Sequence, residues 1–302
     1  MINAIFRSMR PKQWTKNGVV LAGLIFSRNL MDAHMATRAI AATGLFCLLS
    51  GAVYLINDIR DIEKDRAHPV KKDRPLPSGA LAVGPAWMAA GALAVGSLGL
   101  SFAMDPKFGQ VALAYFVLIC AYSFGLKSIV LIDVFTIASG FVLRAVAGVV
   151  AIASMVPARE VAPSPWLLVC TFLLATFLAL AKRRNELSMM DGVEAGSTRS
   201  VLSEYSLPLV DQLTAIVSAS TVVAYALYTF DDRTVGVFGT HGLALTIPFV
   251  MYGIFRYLYL VHRRGAGGSP EIIFLTDRGI LVCVLLWLST AAAIIYGPPL
   301  VG

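Results

Sequence analysis

"LINDIRDIEKDRAHPVKKDRPLPSG", residues 55–79, places five carboxylates (Asp58, Asp61, Glu63, Asp65, Asp73) and six basic side chains (Arg60, Lys64, Arg66, Lys71, Lys72, Arg74) between positions 57 and 74. The rest of the chain is mostly apolar. Of 302 residues 57% are hydrophobic and 14% charged, with mean hydropathy +0.74, whereas a soluble domain carries roughly 25% charged residues. This composition reads as an all-α integral membrane protein. Nine stretches are long enough to cross a hydrocarbon core of about 30 Å. They lie near 15–31, 37–56, 81–103, 108–124, 129–153, 165–181, 208–230, 241–261 and 279–296.

Arg7, Arg10, Lys12 and Lys16 precede the first apolar run. That outline superficially suits a signal peptide, but the basic region is long and no small-x-small cleavage site follows, so it reads as an interfacial segment leading into an uncleaved span. Cys47, Cys120, Cys170 and Cys283 each fall inside a span without metal or redox spacing, and read as packing residues. Of the 25 Lys and Arg, eighteen lie at the N-terminus or in the links after spans two, four, six and eight, against five in the opposite links. That bias places the N-terminus and the charged links in the cytoplasm. The net charge of +7 then reflects topology and attraction to anionic lipid, with no nucleic-acid partner implied. The longest polar links, about 57–80, 182–207 and 262–278, are too short for an appended soluble domain. The expectation is one polytopic membrane domain over 1–302, with two pseudo-repeated helical halves, about 15–153 and 165–296, suggested by charged links four spans apart, after span two and after span six.

Asp58, Asp61 and Asp65 are spaced i, i+3, i+7, which on a helix continuing from span two puts them on one face with Asn57 beside them. Carboxylate and amide oxygens so clustered suit Mg²⁺, commonly shared with phosphate oxygens. A solvated helix end paired to Arg60 and Lys64 is the blander alternative, which a like-charged face at the mouth of a membrane bundle disfavours. Arg66, His68, Lys71, Lys72 and Arg74 follow, and the prolines and glycine of "PLPSG" stiffen the return into span three. A cationic segment adjoining a metal-binding face is what a diphosphate requires. Other charges stand apart from this window. Tyr122 and Lys127 end span four in "YSFGLKS", and "LAKRRNELSMMD" after span six carries Lys182, Arg183, Arg184, Glu186 and Asp191. Arg144, deep in span five, is divided between a structural partner and a cavity wall near substrate. Lys16 is either an anchor or a phosphate ligand, and Arg256 reads as a snorkelling side chain.

"NDIRDIEKD" has the form N-D-x-x-D-x-x-x-D, and with "DRAHPVKKDRPLPSG" behind it resembles the first motif of the UbiA superfamily of intramembrane prenyltransferases. The resemblance implies nine transmembrane helices around a cytoplasm-facing polar cavity. It also implies Mg²⁺ held by Asn57, Asp58, Asp61 and Asp65, the three aspartates being catalytic. The family's second acidic motif is missing: Lys182, Arg183 and Arg184 stand in its place. With "MRPKQWTKN", "YSFGLKS", "IDVFTIASGFVLRAVAG" and "LAKRRNEL", the chain is similar to the branch that transfers 5-phosphoribose from phosphoribosyl diphosphate (PRPP) to decaprenyl (polyprenyl) phosphate, a precursor step for cell-wall arabinan. By that resemblance Arg60, Arg66, Lys71, Lys72 and Arg74 surround the donor. Lys16, Tyr122, Lys127, Arg144, Lys182, Arg183, Arg184 and Glu186 are further substrate-binding candidates. The implied partners are PRPP, the polyprenyl phosphate and membrane lipids, with homo-oligomerisation open. A prenyl-diphosphate:aromatic prenyltransferase would want the missing acidic motif. An ion-coupled transporter would place its charges near the bilayer midplane.

Overall fold

The computed structural model describes residues 1–27, 30–155, 164–190, 200–265, 268 and 270–297. The helices, in chain order, are α1 Ile2–Ser8, α2 Ala22–Phe26, α3 Ala33–Arg60, α4 Ile62–Arg66, α5 Val83–Met104, α6 Pro106–Phe124 and α7 Ile132–Ala153. They continue as α8 Pro165–Met190, α9 Leu207–Phe230, α10 Asp232–Phe238, α11 Ile247–Arg264, α12 Pro270–Thr276 and α13 Arg278–Tyr296. Among the described residues eight are long and apolar enough to cross a membrane: α3, α5 to α9, α11 with the 3-10 turn before it, and α13. This is an integral membrane protein.

The ninth expected span, near 15–31, takes another form. Pro11–Leu21 winds as a 3-10 helix and only Ala22–Phe26 continues as α-helix. Tertiary packing overrides apolar length here, because the backbone runs directly against α7. A Cβ on Gly148 would lie 1.9 Å from the Val20 carbonyl oxygen, and one on Gly23 would lie 2.6 Å from Gly148 carbon. At the other extreme α8 runs past the expected 181 to Met190, so Lys182 to Glu186 lie on a helix.

Local signals explain where the helices start. Asp32 accepts from the amides of His34 (2.8 Å) and Met35 (2.9 Å), and Asp105 from those of Lys107 (2.8 Å) and Phe108 (3.1 Å), with Pro106 in the first turn. Each satisfies amides that have no partner inside the helix.

The described residues form two compact units, one of the elements through α7 and one from α8 onward. In the first, α5 lies along α3 and buries Ala86, Ala90, Ala94, Ser97 and Ser101. Small residues every third or fourth position let the backbones approach closely, and dispersion then holds helices together where lipid removes the hydrophobic drive. Phe46 packs 5.9 Å from Phe108 and 5.2 Å from Tyr115, ring to ring, at the centre of this unit. In the second unit Phe177, Ile254, Tyr257, Leu260, Ile273 and Ile280 make the core. Arg256 is paired there: its Nε and Nη2 donate to Asp277 Oδ1 and Oδ2 at 3.1 and 2.9 Å. Asp277 also caps α13 through the Ile280 amide (3.0 Å), and the Arg256 hydrogen bond holds its carboxyl below the usual range.

Candidate active site

α3 stops at Arg60, and Asp61, at φ −94° and ψ 10°, separates it from the single turn of α4. The expected unbroken face of Asp58, Asp61 and Asp65 is therefore interrupted at its middle member. Asp58 and Asp65 stay together, 1% and 3% exposed, and meet at one nitrogen: Arg74 Nη1 lies 3.2 Å from Asp58 Oδ1 and 2.6 Å from Asp65 Oδ2. Asp61 instead accepts from Lys127 Nζ through both oxygens, at 2.8 and 2.7 Å.

The residues after α4 bring Arg74 to that point. His68 Nδ1 accepts from the amides of Val70 (3.2 Å) and Lys71 (3.3 Å), closing a turn that sets Lys71 Nζ 3.6 Å from Asp65 Oδ1. Burial, and then the charge of Lys71, lower the His68 pKa from its ordinary value. Lys71–Asp73 is a 3-10 turn, and beyond it Leu81 N donates to Pro75 O (2.8 Å) while Gly79 sits at φ 80°. Leu76, 2% exposed, anchors this return beside Leu55, Ile56 and Met9.

Arg10 belongs to the same constellation, and sequence reasoning placed it only among the basic N-terminal residues. Its guanidinium stacks 4.8 Å over the Tyr54 ring and Nη2 donates to Asp58 Oδ1. Met9 packs where Gly51 of α3 leaves room; a Cβ there would lie 3.0 Å from Met9 Cε. Arg10 itself is at φ 55°, a left-handed conformation rare for a residue with a Cβ. The available signal was the Arg10–Pro11 pair, since a residue before proline leaves the helical region and turns the chain.

The remaining candidates divide by unit. In the first unit Asn57 is half-buried and its carbonyl accepts from Asp61 N at 3.0 Å. Arg60 is exposed over the Phe124 ring at 4.8 Å. Arg66 pairs with Glu63 at 2.8 Å and donates to Pro77 O at 3.3 Å. Lys72 is exposed, while Lys16 and Tyr122 are half-buried. Arg144 is built into the scaffold: Nε donates to Asn17 Oδ1 (2.8 Å), Nη1 to Gly140 O (3.1 Å) and Nη2 to Tyr115 Oη (2.7 Å). Its charge also lies over the rings of Tyr115 and Phe141, at 4.6 and 5.1 Å. In the second unit Arg183 is buried and pairs with Glu186 one turn on. Arg184 Nε is 2.6 Å from Asp211 Oδ1, which His262 Nε2 approaches to 3.4 Å. Lys182 is half-buried on the same helix, and Asp191 lies outside the described residues.

Among the described residues no three His, Cys, Asp or Glu side chains gather as a metal cluster. Two do share a cation: Asp58 and Asp65 flank the Arg74 nitrogen with carboxylate oxygens only. A hard-oxygen pair already arranged about one positive point fits Mg²⁺, which takes one or two protein carboxylates and fills its other positions with water and phosphate. Asp61, turned to Lys127, stands outside that pair.

Residues 18–275 match the model of the UbiA prenyltransferase family. A decaprenyl-phosphate phosphoribosyltransferase of Mycolicibacterium smegmatis is 34% identical, covering 98% of this chain and 93% of that protein. One from Corynebacterium glutamicum is 32% identical over 99% of this chain and 89% of that protein. The solved structure of a UbiA homolog from Archaeoglobus fulgidus bound to GPP and Mg²⁺ shares the fold, with TM-score 0.70 at 19% identity, covering 97% of this chain and 99% of that one. Helical architecture, acidic motif and match over most of the length agree: the chain belongs to the UbiA prenyltransferase family.

Proposed function

We propose that this protein transfers 5-phosphoribose from PRPP to decaprenyl (polyprenyl) phosphate, giving decaprenylphosphoryl-5-phosphoribose and diphosphate, with its site at the cytoplasmic face of the cell membrane. The observation that carries the reading is the buried pair Asp58 and Asp65 set among Arg10, Lys71 and Arg74, a site suited to a metal-borne polyanion. Its specific donor and acceptor rest on the similarity to the phosphoribosyltransferases of the two relatives.

In the reaction the bond between the anomeric carbon and diphosphate breaks, positive charge grows on the sugar, and the leaving oxygens become negative. Asp58 and Asp65 would hold Mg²⁺, which when bound supplies neutralisation of the leaving group. Arg74, Lys71 and Lys72 bind the diphosphate oxygens. Lys127 and Tyr122, at the end of α6, are assigned to the second anion, with Lys182, Arg183 and Arg184 as further phosphate candidates. The lipid phosphate is an anionic nucleophile already, so no side chain need remove a proton. Orientation and preorganised charge supply the acceleration. Attack opposite the leaving group inverts the anomeric centre.

Prenyl transfer to an aromatic acid would require acids where Lys182, Arg183 and Arg184 stand. Purified protein in decaprenyl-phosphate vesicles, given Mg²⁺ and ribose-labelled PRPP, is expected to yield a labelled lipid on thin-layer chromatography. Transfer of a prenyl group to an aromatic acid with PRPP left untouched would overturn the reading.

A further inference from the structure

We propose that Arg184 is a preset phosphate fork: Asp211, a positioning residue, holds its guanidinium by Nε alone, and the terminal nitrogens Nη1 and Nη2 take a phosphate monoester. This rests on reading the basic run of α8 as phosphate-binding, and it names the member of the run that does the binding.

The helix separates those basic residues. Successive side chains on α8 point about 100° apart, so Arg183 and Arg184 face different neighbours. Arg183 is 1% exposed and commits Nη1 to Glu186 one turn on. Asn185 is buried under the backbone at Gly268, where an added Cβ would lie 2.7 Å from its Nδ2. That contact fixes the rotation of α8 and leaves Arg184 directed at α9, where Nε donates to Asp211 Oδ1 at 2.6 Å.

What Asp211 leaves unused carries the chemistry. A guanidinium has one N–H on Nε and two on each Nη, and a carboxylate commonly takes two of its nitrogens at once. Here the Nε bond is the only hydrogen bond of Arg184 among the described residues. Neither Nη is among the side-chain atoms sealed from solvent, so both open onto accessible space. The side chain as a whole is only 19% exposed, and a charged contact made there is screened less than one at the surface.

A third helix completes the support. His262 of α11 brings Nε2 to 3.4 Å from the same Asp211 oxygen, with Nδ1 2.9 Å from Leu258 O. Asp211 is thus bracketed by α8 and α11, and the guanidinium is oriented before a ligand arrives, which removes an ordering cost from binding. A phosphate monoester fits the fork end-on, one oxygen accepting from each Nη. In the proposed reaction the lipid acceptor carries such a group, and so does the 5-position of the donor. Because Asp211 offsets much of the arginine's charge, it serves the fork by direction. Losing its oxygen should therefore weaken binding, whereas losing only its charge should not.

Full-length wild type, Arg184→Gln, Asp211→Asn and Asp211→Ala are compared in detergent without PRPP or metal, with protein-free micelles as background. Equilibrium dialysis uses ³²P-labelled geranyl phosphate in one arm and ³²P-labelled ribose 5-phosphate in the other. Arg184→Gln is expected to lose roughly tenfold or more in affinity, the scale of one charge-assisted hydrogen bond, and the arm in which it does so identifies the source of the phosphate. Asp211→Ala should lose several-fold in the same arm, and Asp211→Asn, whose amide oxygen still accepts from Nε, should match wild type. Unchanged affinity of Arg184→Gln in both arms overturns the proposal and leaves the ion pair as a tie between two helices. Tighter binding by Asp211→Ala overturns it as well, by making the carboxylate a competitor. Should either of those variants not fold, Arg184→Lys carries the test: one ammonium cannot hold Asp211 and also present a fork, so its affinity should fall, and wild-type affinity overturns the proposal. None of these readouts involves phosphoribosyl transfer. A wild-type protein that passes them yet leaves PRPP unreacted would disprove the transferase reading while the fork stands, and normal transfer with unchanged affinity of Arg184→Gln in both arms would do the reverse.

Discussion

Lys127 holds Asp61 by both carboxylate oxygens, 2.8 and 2.7 Å from its Nζ, across 66 residues of chain. The pair joins the end of α3 to the turn after α6, with side chains 19% and 14% exposed. Partial burial weakens solvent screening, so this contact is worth more than a surface ion pair. It also explains why Asp61 leaves the face that Asp58 and Asp65 share.

Asp61→Asn and Lys127→Met should each lower kcat/KM for phosphoribosyl transfer, and the double variant should be little worse than the poorer single one. A double-mutant cycle is expected to give a coupling of about 1–3 kcal/mol. Strictly additive losses would show that the two residues act separately.

Asp58→Asn or Asp65→Asn keeps side-chain shape while removing a ligand charge, and should cost activity by orders of magnitude with the fold retained. EDTA should abolish wild-type turnover, and Mg²⁺ or Mn²⁺ should restore it. Full turnover in EDTA would exclude a metal-dependent reaction.

Arg144→Met should act on stability. It removes the donors that Asn17 and Tyr115 now receive in a buried site, and leaving such groups without their charged partner costs about 3 kcal/mol. A drop of several degrees in apparent Tm in detergent, with KM for PRPP unchanged in the folded fraction, is the expected pattern. An unchanged Tm with a raised KM would return Arg144 to a substrate role.

His68 gives the site a pH dependence of determinate sign. Its folded pKa is lowered by burial and by Lys71, so the unfolded state binds the proton more readily. Stability of the turn is complete above about pH 6.5 and is lost as pH falls below that value toward the folded pKa. Protonation also removes the Nδ1 acceptor for the Val70 and Lys71 amides. Activity should therefore fall on the acid side below pH 6.5, and His68→Asn, whose carbonyl can accept from the same amides without titrating, should flatten that limb. An acid limb identical in the variant would assign the effect to another group.

Local chemistry made much of this protein legible. Helices α3, α5, α6, α7 and α13 lie where apolar length placed them, because hydropathy adds up along consecutive residues. The acidic window was legible too, since like charges a turn apart repel unless a cation serves them, and its basic neighbours Lys71 and Arg74 are among the cations that do. The first apolar run forms a 3-10 helix and a short α-helix in place of one long α-helix. What shapes it is the backbone contact between Val20 and Gly148, which no window around residue 20 contains.

The amino-acid sequence by itself determined a helical membrane protein with one acidic-and-basic motif and a family. Only the tertiary structure decided which cation serves which carboxylate. Arg10 reaches Asp58 across 48 residues, Lys127 reaches Asp61 across 66, and Arg144 reaches Asn17 across 127. Charge count and periodicity are properties of neighbouring residues. An ion pair depends on where two helix ends arrive in space, and that is set by the close packing of α3 on α5, the break at Asp61 and the turn at Arg10.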